Sequence, residues 1–237
     1  MTIRVLLISP AMGPALRAAR FGEEPPEVRR PEAPGDGPGY DGPADTPGNA
    51  PGAVGDPGAG QDSAVDTAGV RQTEAVREDF LRGARTAAVY VSPSPRCRTT
   101  ARLLGLDARP LPDLAPWAMG RWRGRTLDEV AAAEPRAVSA WLADPAAAPH
   151  GGESLLALQA RVGRWLDALG QNTPRVVAVA EPDIVRAATV HALGTAAGTF
   201  WRFDVRPLTA TEFTGRDGRW NLLSGRPLAG EGTGEEI

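Results

Sequence analysis

Two histidines and one cysteine, His150, His191 and Cys97, are the whole stock of imidazole and thiol chemistry in this 237-residue chain. A lone cysteine excludes an internal disulfide and a C-x-x-C metal site. A nucleophile needs a base or a depressed pKa beside it; Cys97 has no histidine next to it in sequence and reads as a small buried filler. His191 sits late in a helical stretch and reads as a packing residue. Oxygen and nitrogen donors gather at His150-Gly-Gly-Glu153 and at Glu181-Pro-Asp183. Such groups suit a hard cation, yet no two stand at a recognised ligand spacing, so no metal and no cofactor are assigned. Arg96, in Ser92-Pro-Ser-Pro-Arg96-Cys97, carries a planar fork that fits a carboxylate or a phosphate. Ser9 and Ser92 would act as nucleophiles only with a base, for which Glu181 is the candidate.

The elements that must position these groups read as an alternation of strands and helices. Ile3 to Ile8, Ala87 to Val91 and Arg175 to Ala180 are continuous apolar runs, the pattern of strands buried on both faces. Helical spacing follows over Asp66–Leu81, from Ser92-Pro93 through Leu104, and over Ile184–Leu193. Thr126-Leu-Asp-Glu129 opens a further helix with a capping box. Glu153 to Leu169 sets Leu155, Leu158, Val162, Leu166 and Leu169 on one face. Strand-like runs at Phe200–Val205, Leu208–Phe213 and Trp220–Leu223 close the chain, with Gly215-Arg-Asp-Gly218 as a hairpin turn. The pattern predicts an α/β fold with a mostly parallel central sheet and an antiparallel element at its end. Ligands of such sheets bind beyond the carboxyl ends of the strands. That puts Ser9-Pro10, Ser92 to Arg98 and Glu181-Pro182 at the expected site.

One domain spans 1–237 on this reading. It is interrupted at 22–62 by a Pro/Gly-rich insertion with almost no large apolar residue, which cannot offset its ordering entropy. Residues 229–237 form a flexible tail. Apolar content of 42% and charged content of 23% are globular values. A net charge of -3 lacks the basic footprint of a nucleic-acid binder. There is no leader pattern and no apolar run long enough for a bilayer. A cytoplasmic protein without membrane partners is expected. Of six tryptophans, Trp122 and Trp165 read as core, while Trp117 and Trp201 are candidates for a pocket or interface.

Several segments resemble, in order, those of the histidine phosphatase superfamily, the phosphoglycerate-mutase-like proteins. Ser92-Pro93, Arg96, Thr100 and Ala101 match S-P-x-x-R-x-x-x-T-A; Gly120, Trp122 and Gly124 match G-x-W-x-G; Leu127-Asp-Glu-Val130 follows as in the family. Gly151-Gly-Glu-Ser154 is the G-G-E-S segment, and Asp183-Ile-Val-Arg-Ala187 resembles the stretch behind the family's second histidine. Gly69-x-x-Gln72 fits the helix before the second strand. The resemblance implies a three-layer sandwich. It also implies a mechanism: a histidine in an R-H-G motif is phosphorylated, two arginines and a second histidine hold the phosphate, and a glutamate donates the proton.

This chain departs from that pattern at the centre. The R-H-G position reads Ser9-Pro10-Ala11, the second histidine position holds Glu181, and the acid position holds Pro116. The expectation is a non-catalytic relative whose Arg96 pairs internally with Glu181. Such a pair consumes the fork and repels a phosphate dianion, and on the bland reading the two residues only neutralise each other. The sharper reading is a pocket that holds a neutral, zwitterionic or cationic ligand. Arg96, Ser92, Glu153, Glu181 and His150 are the candidate ligand-binding residues for a small molecule or protein partner. A phosphatase or hydrolase using non-standard residues is the alternative. A homodimer through an exposed edge strand at Leu208–Phe213 is a further expectation.

Overall fold

The structure, a computed structural model, describes residues 2–22, 64–84, 87–169, 174–216 and 218–227. The expected insertion beyond Gly22 and the expected tail lie outside the described residues. Six strands form one sheet: β1 (Ile3–Ile8), β2 (Ala88–Val91), β3 (Arg109–Pro110), β4 (Arg175–Val179), β5 (Thr209–Arg216) and β6 (Arg219–Pro227). Their order is β3-β2-β4-β1-β5-β6. The first four in that order run parallel; β5 pairs antiparallel with β1, and β6 with β5. Helices α1 (Pro14–Arg17), α2 (Thr67–Ala84), α3 (Pro95–Leu103), α4 (Leu127–Ala133), α5 (Pro135–Ala143), α6 (Leu155–Ala168) and α7 (Pro182–Leu193) complete it.

The unbroken apolar runs are explained by burial on both sides. Ile3, Val5 and Leu7 of β1, with Val176 and Ala178 of β4, pack against Leu158, Val162 and Leu166 of α6 and Ile184 and Ala188 of α7. The alternate residues Ile8, Val177 and Val179 face Cys97, Ala101 and Leu104 around α3, with Val76 of α2 against them. A strand's period of two divides each run between two helical layers, which gives the three-layer sandwich. A third cluster, Met119, Trp122, Val130 and Trp141, joins the first through the partly buried Trp117 and Trp201. The capping box is present: Thr126 accepts from the Glu129 amide, and Glu129 from the Thr126 amide. No helix among the described residues is long and apolar enough to cross a membrane.

Two expectations are corrected. Phe200–Val205 is not a strand: Ala197–Arg202 is a 3-10 turn. Phe200 enters the α6–α7 core while the partly exposed Trp201 packs on Trp141, so neighbouring side chains both pack against the protein where a half-buried strand would send them to opposite faces. The run Leu208–Phe213 is not an edge either. β5 lies between β1 and β6, because the hairpin continues the chain into a covering strand. The homodimer edge expected there is therefore already paired. Helix α5 was not anticipated.

Glycines lock the loops that overhang the sheet. Arg121 N donates to the His150 carbonyl at 3.0 Å and Glu153 N to the Ala118 carbonyl at 2.8 Å, so residues 118–121 and 150–153 run against each other. A methyl at Gly152 would overlap the Ala118 carbonyl oxygen, and one at Gly120 (φ +48°) would stand 2.8 Å from the Gly152 nitrogen. That crossing accounts for glycine in both motifs. Gly152→Ala should lower stability by more than about 3 kcal/mol. Gly198→Ala, where a methyl meets nothing within 4 Å, should change it by less than about 0.5 kcal/mol. Urea unfolding of the two variants checks this.

Candidate functional site

The carboxyl ends of β2, β4 and β1 lie side by side, and the chain leaving each carries a residue predicted for the site. Ser9 is fully buried and engaged with the neighbouring strand. Its amide donates to the Thr209 carbonyl at 3.0 Å, its carbonyl accepts from Leu208 N, and its hydroxyl donates to the Arg206 carbonyl. Ser9 thus prolongs the β1–β5 pairing and is not displayed to a ligand. Pro10 has no N–H, and the next amide, Ala11 N, donates to Thr100 Oγ1 at 3.1 Å, tying this loop to α3. Ser92 is fully buried as well, its amide bonded to the Val179 carbonyl and its hydroxyl accepting from Ser94 N.

Ser94 lies in the Ser92–Arg98 segment expected at the site, but its role was not singled out. A serine followed by proline at the first helical position is an N-cap signature, and Ser94 Oγ accepts from Cys97 N at 3.2 Å as the cap of α3. Its hydroxyl hydrogen goes to Glu181 Oε1 at 2.7 Å. Glu181, the N-cap position of α7, also takes Arg96: Nη2 donates to Oε2, and Nε faces Oε1 at 3.4 Å. Only 9% of the Arg96 side chain and 13% of the Glu181 side chain is exposed, so this ion pair is largely shielded from water. Burial alone would lower the guanidinium pKa; the Glu181 charge and hydrogen bond outweigh it, and the net shift is upward. Arg96 Nη1, in contrast, has no hydrogen-bond partner among the described residues. Cys97 is buried with Sγ 3.6 Å from Glu181 Oε1. Burial, then the Glu181 charge, pushes its thiol well up, leaving it protonated and unreactive.

Asp183 stands one helical position beyond Pro182. Its Oδ2 accepts from the Trp117 amide at 2.7 Å and its Oδ1 from the Ile184 amide at 2.9 Å. Burial of the carboxyl, then the Glu181 charge, pushes its pKa up to about 6, against the opposing pull of those two amides. Trp117 Nε1 donates to the Glu153 carbonyl at 2.7 Å. The Glu153 carboxylate is held by both edge nitrogens of Arg161, at 2.9 and 2.7 Å, and Arg161 Nη1 donates to the carbonyls of Asp113 and Ala115. Pro116 lies inside this tied segment. Glu153 is therefore an anchor for the loop over the site.

His150 is nearly fully buried. Its Nδ1 accepts from Gly152 N at 3.0 Å, and its ring lies 5.1 Å from that of Trp122. Burial, then the Arg121 charge, lowers its pKa, so it is neutral near pH 7. Among the described residues no three His, Cys, Asp or Glu side chains gather as metal ligands. Glu181, Asp183, Glu153 and His150 are each committed to a different partner. His191 pairs with Asp167 at 2.9 Å against α6, a packing role as expected. Trp117 packs on Trp141, Phe200 and Trp201 with ring centroids 5.4 to 5.9 Å apart. Trp117 and Trp201 stay partly exposed.

Residues 48–226 match the family model of the histidine phosphatase superfamily (branch 1). A stretch of 157 residues is 31% identical to the bifunctional protein Rv2228c of Mycobacterium tuberculosis, covering 63% of this chain and 43% of that protein. The chain thus spans less than half the length of the curated relatives it matches. The alpha-ribazole phosphatase from Shigella flexneri is similar in fold, with a TM-score of 0.71 at 18% identity over 99% of this chain and 100% of that one. The mycobacterial glucosyl-3-phosphoglycerate phosphatase Rv2419c in complex with VO3 gives 0.65 at 22% identity over 95% and 99%.

The elevated Asp183 pKa has a stability consequence whose sign is fixed by linkage. The folded protein holds this proton more tightly than an unfolded chain with the ordinary value of 3.8. Asp183 therefore favours the fold below pH about 4, and that contribution is lost as pH rises through about 6. Relative to Asp183→Asn, the native chain should lose on the order of 1–3 kcal/mol between those limits. Urea unfolding at intervals across this range measures it; parallel profiles would contradict the assignment.

Proposed function

The chain belongs to the histidine phosphatase superfamily, and on that footing we propose that it is a member which has given up phosphohistidine chemistry and binds a small ligand or protein partner at a remodelled site. The Arg96–Glu181 ion pair carries this reading. Phosphate chemistry needs a fork free to offset the charge on the transferring oxygens, and here the fork is held by a carboxylate of the protein itself. A phosphate dianion approaching Glu181 would meet like charge in a poorly solvated place, where repulsion is far stronger than in water.

The remaining positions support the same conclusion. Pro10, where the resemblance puts the nucleophilic histidine, has no ring nitrogen to phosphorylate. Pro116, where it puts the acid, has no proton to give. Substitutes are poor: Ser9 is buried in strand pairing, Cys97 is protonated, and His150 is enclosed by aromatic packing. The alternative is a phosphatase acting on a small phosphorylated metabolite through other residues. It draws on the phosphatases of similar fold and on the Ser94 hydroxyl bonded to Glu181.

Hydrolysis of an aryl phosphate by the purified chain, across pH and beside Arg96→Ala and Glu181→Ala, separates the two. The proposal expects no turnover above the uncatalysed rate in any of the three. Turnover that stays with the protein through purification and falls in Arg96→Ala would overturn it in favour of the alternative.

A further inference from the structure

Charge at the site does not balance. Its guanidinium groups are each matched to one carboxylate: Arg96 to Glu181, Arg161 to Glu153. Asp183 is left over. Among the described residues no cationic side chain is bonded to it, and its partners are two backbone amides. Arg161 acts on it only from a distance, because its own hydrogen bonds go to Glu153, Asp113 and Ala115. Arg96 and Asp183 feel each other's charge, as expected for groups at the ends of the adjacent strands β2 and β4. Glu181 faces Asp183 with like charge and makes the excess worse.

A second and independent vacancy in bonding lies on Arg96, whose guanidinium feels the Asp183 charge. Arg96 is more than nine-tenths buried, yet Nη1 has no partner among the described residues, and a buried charged donor left unmade is costly. With Nε and Nη2 turned to Glu181, Nη1 belongs to the other side of the guanidinium, where Cδ borders Gly13 of the loop leaving β1. One group wants an acceptor, and the other a cation. Trp117, whose backbone amide Asp183 holds, is partly exposed, and an aromatic ring attracts an ammonium group.

Resting on the binding function proposed above, we infer that the site takes a small zwitterion, its ammonium group set on Asp183 against Trp117 and its carboxylate received by Arg96 Nη1. A zwitterion gives Nη1 an acceptor and Asp183 a counter-charge while bringing no net charge to the site. A phosphate dianion would satisfy Arg96 alone and add to the repulsion from Glu181 and Asp183.

The test uses the full chain and the unbranched ω-amino acids from glycine to 6-aminohexanoate, each beside the alkylamine and the alkanoate of matching length, with binding read by calorimetry or NMR titration. One chain length should bind at least about tenfold more tightly than its matched amine and acid. Its affinity should fall about tenfold from pH 7.5 to pH 5 as Asp183 takes up its proton. In Asp183→Asn the zwitterion should drop to the alkanoate's affinity. The isostere and pH comparisons need no variant, so they decide the matter even if Asp183→Asn folds poorly. No binding by any of the series at about 20 mM, or alkanoates and inorganic phosphate binding as well as the zwitterion, would overturn the inference. Failure without aryl phosphate turnover would sink this inference alone; failure with turnover would sink the binding function as well.

Discussion

A guanidinium and a carboxylate withdrawn from water together constrain the centre of this molecule more than any other contact. Either charge alone in that place would be costly, by several kcal/mol for a buried ion. Arg96 and Glu181 come from the starts of α3 and α7, on neighbouring strands, and each is acceptable there because the other is present. Ser94 joins the pair by using one hydroxyl for two tasks, capping α3 through its lone pair and donating its hydrogen to Glu181. The state of Cys97 follows from the same charge and from burial. What is lost by this arrangement is an open fork for phosphate. What it supplies is a rigid join between two helix starts.

A second chain of contacts fixes the loop over the site, and it begins at the same helix. Asp183 holds the Trp117 amide, the Trp117 indole holds the Glu153 carbonyl, and the Glu153 carboxylate holds Arg161, which returns to the carbonyls of Asp113 and Ala115. The aromatic cluster of Trp117, Trp141, Trp201 and Phe200 packs behind it, and the crossing of Gly120 and Gly152 sets how closely the two loops approach. Site and scaffold therefore share their parts: Asp183 is at once an anchor and the carboxylate left without a counter-charge.

Much of this was legible in the sequence because the fold's periodicities are strong. The runs Ile3–Ile8 and Arg175–Ala180 could only be strands buried on two faces, and the apolar stripe from Leu155 to Leu166 gave α6 with its inward face. The Arg96–Glu181 contact was legible too, since sheet topology brings the ends of adjacent parallel strands together. Details that depend on which way a side chain turns were not. Glu153 was expected to face a ligand and is instead clamped by Arg161, a partner eight residues along α6 that no motif marks. His150 was expected among the ligand-binding residues and is buried on Trp122. Phe200–Val205 has strand-like composition, but Phe200, Trp201 and Phe203 all pack against the first core cluster, with Trp201 reaching the third as well, and long-range packing overrides local preference.

The most direct measurement of the central claim is a double-mutant cycle on Arg96→Met and Glu181→Leu, followed by chemical unfolding near pH 7. If the two side chains form the buried pair described here, removing both should cost far less than the sum of the single changes, with a coupling of about 3 kcal/mol or more. A coupling within about 0.5 kcal/mol of zero would mean that the two groups stand independently. The fork of Arg96 would then be free, and the account built on its occupation by Glu181 would be wrong.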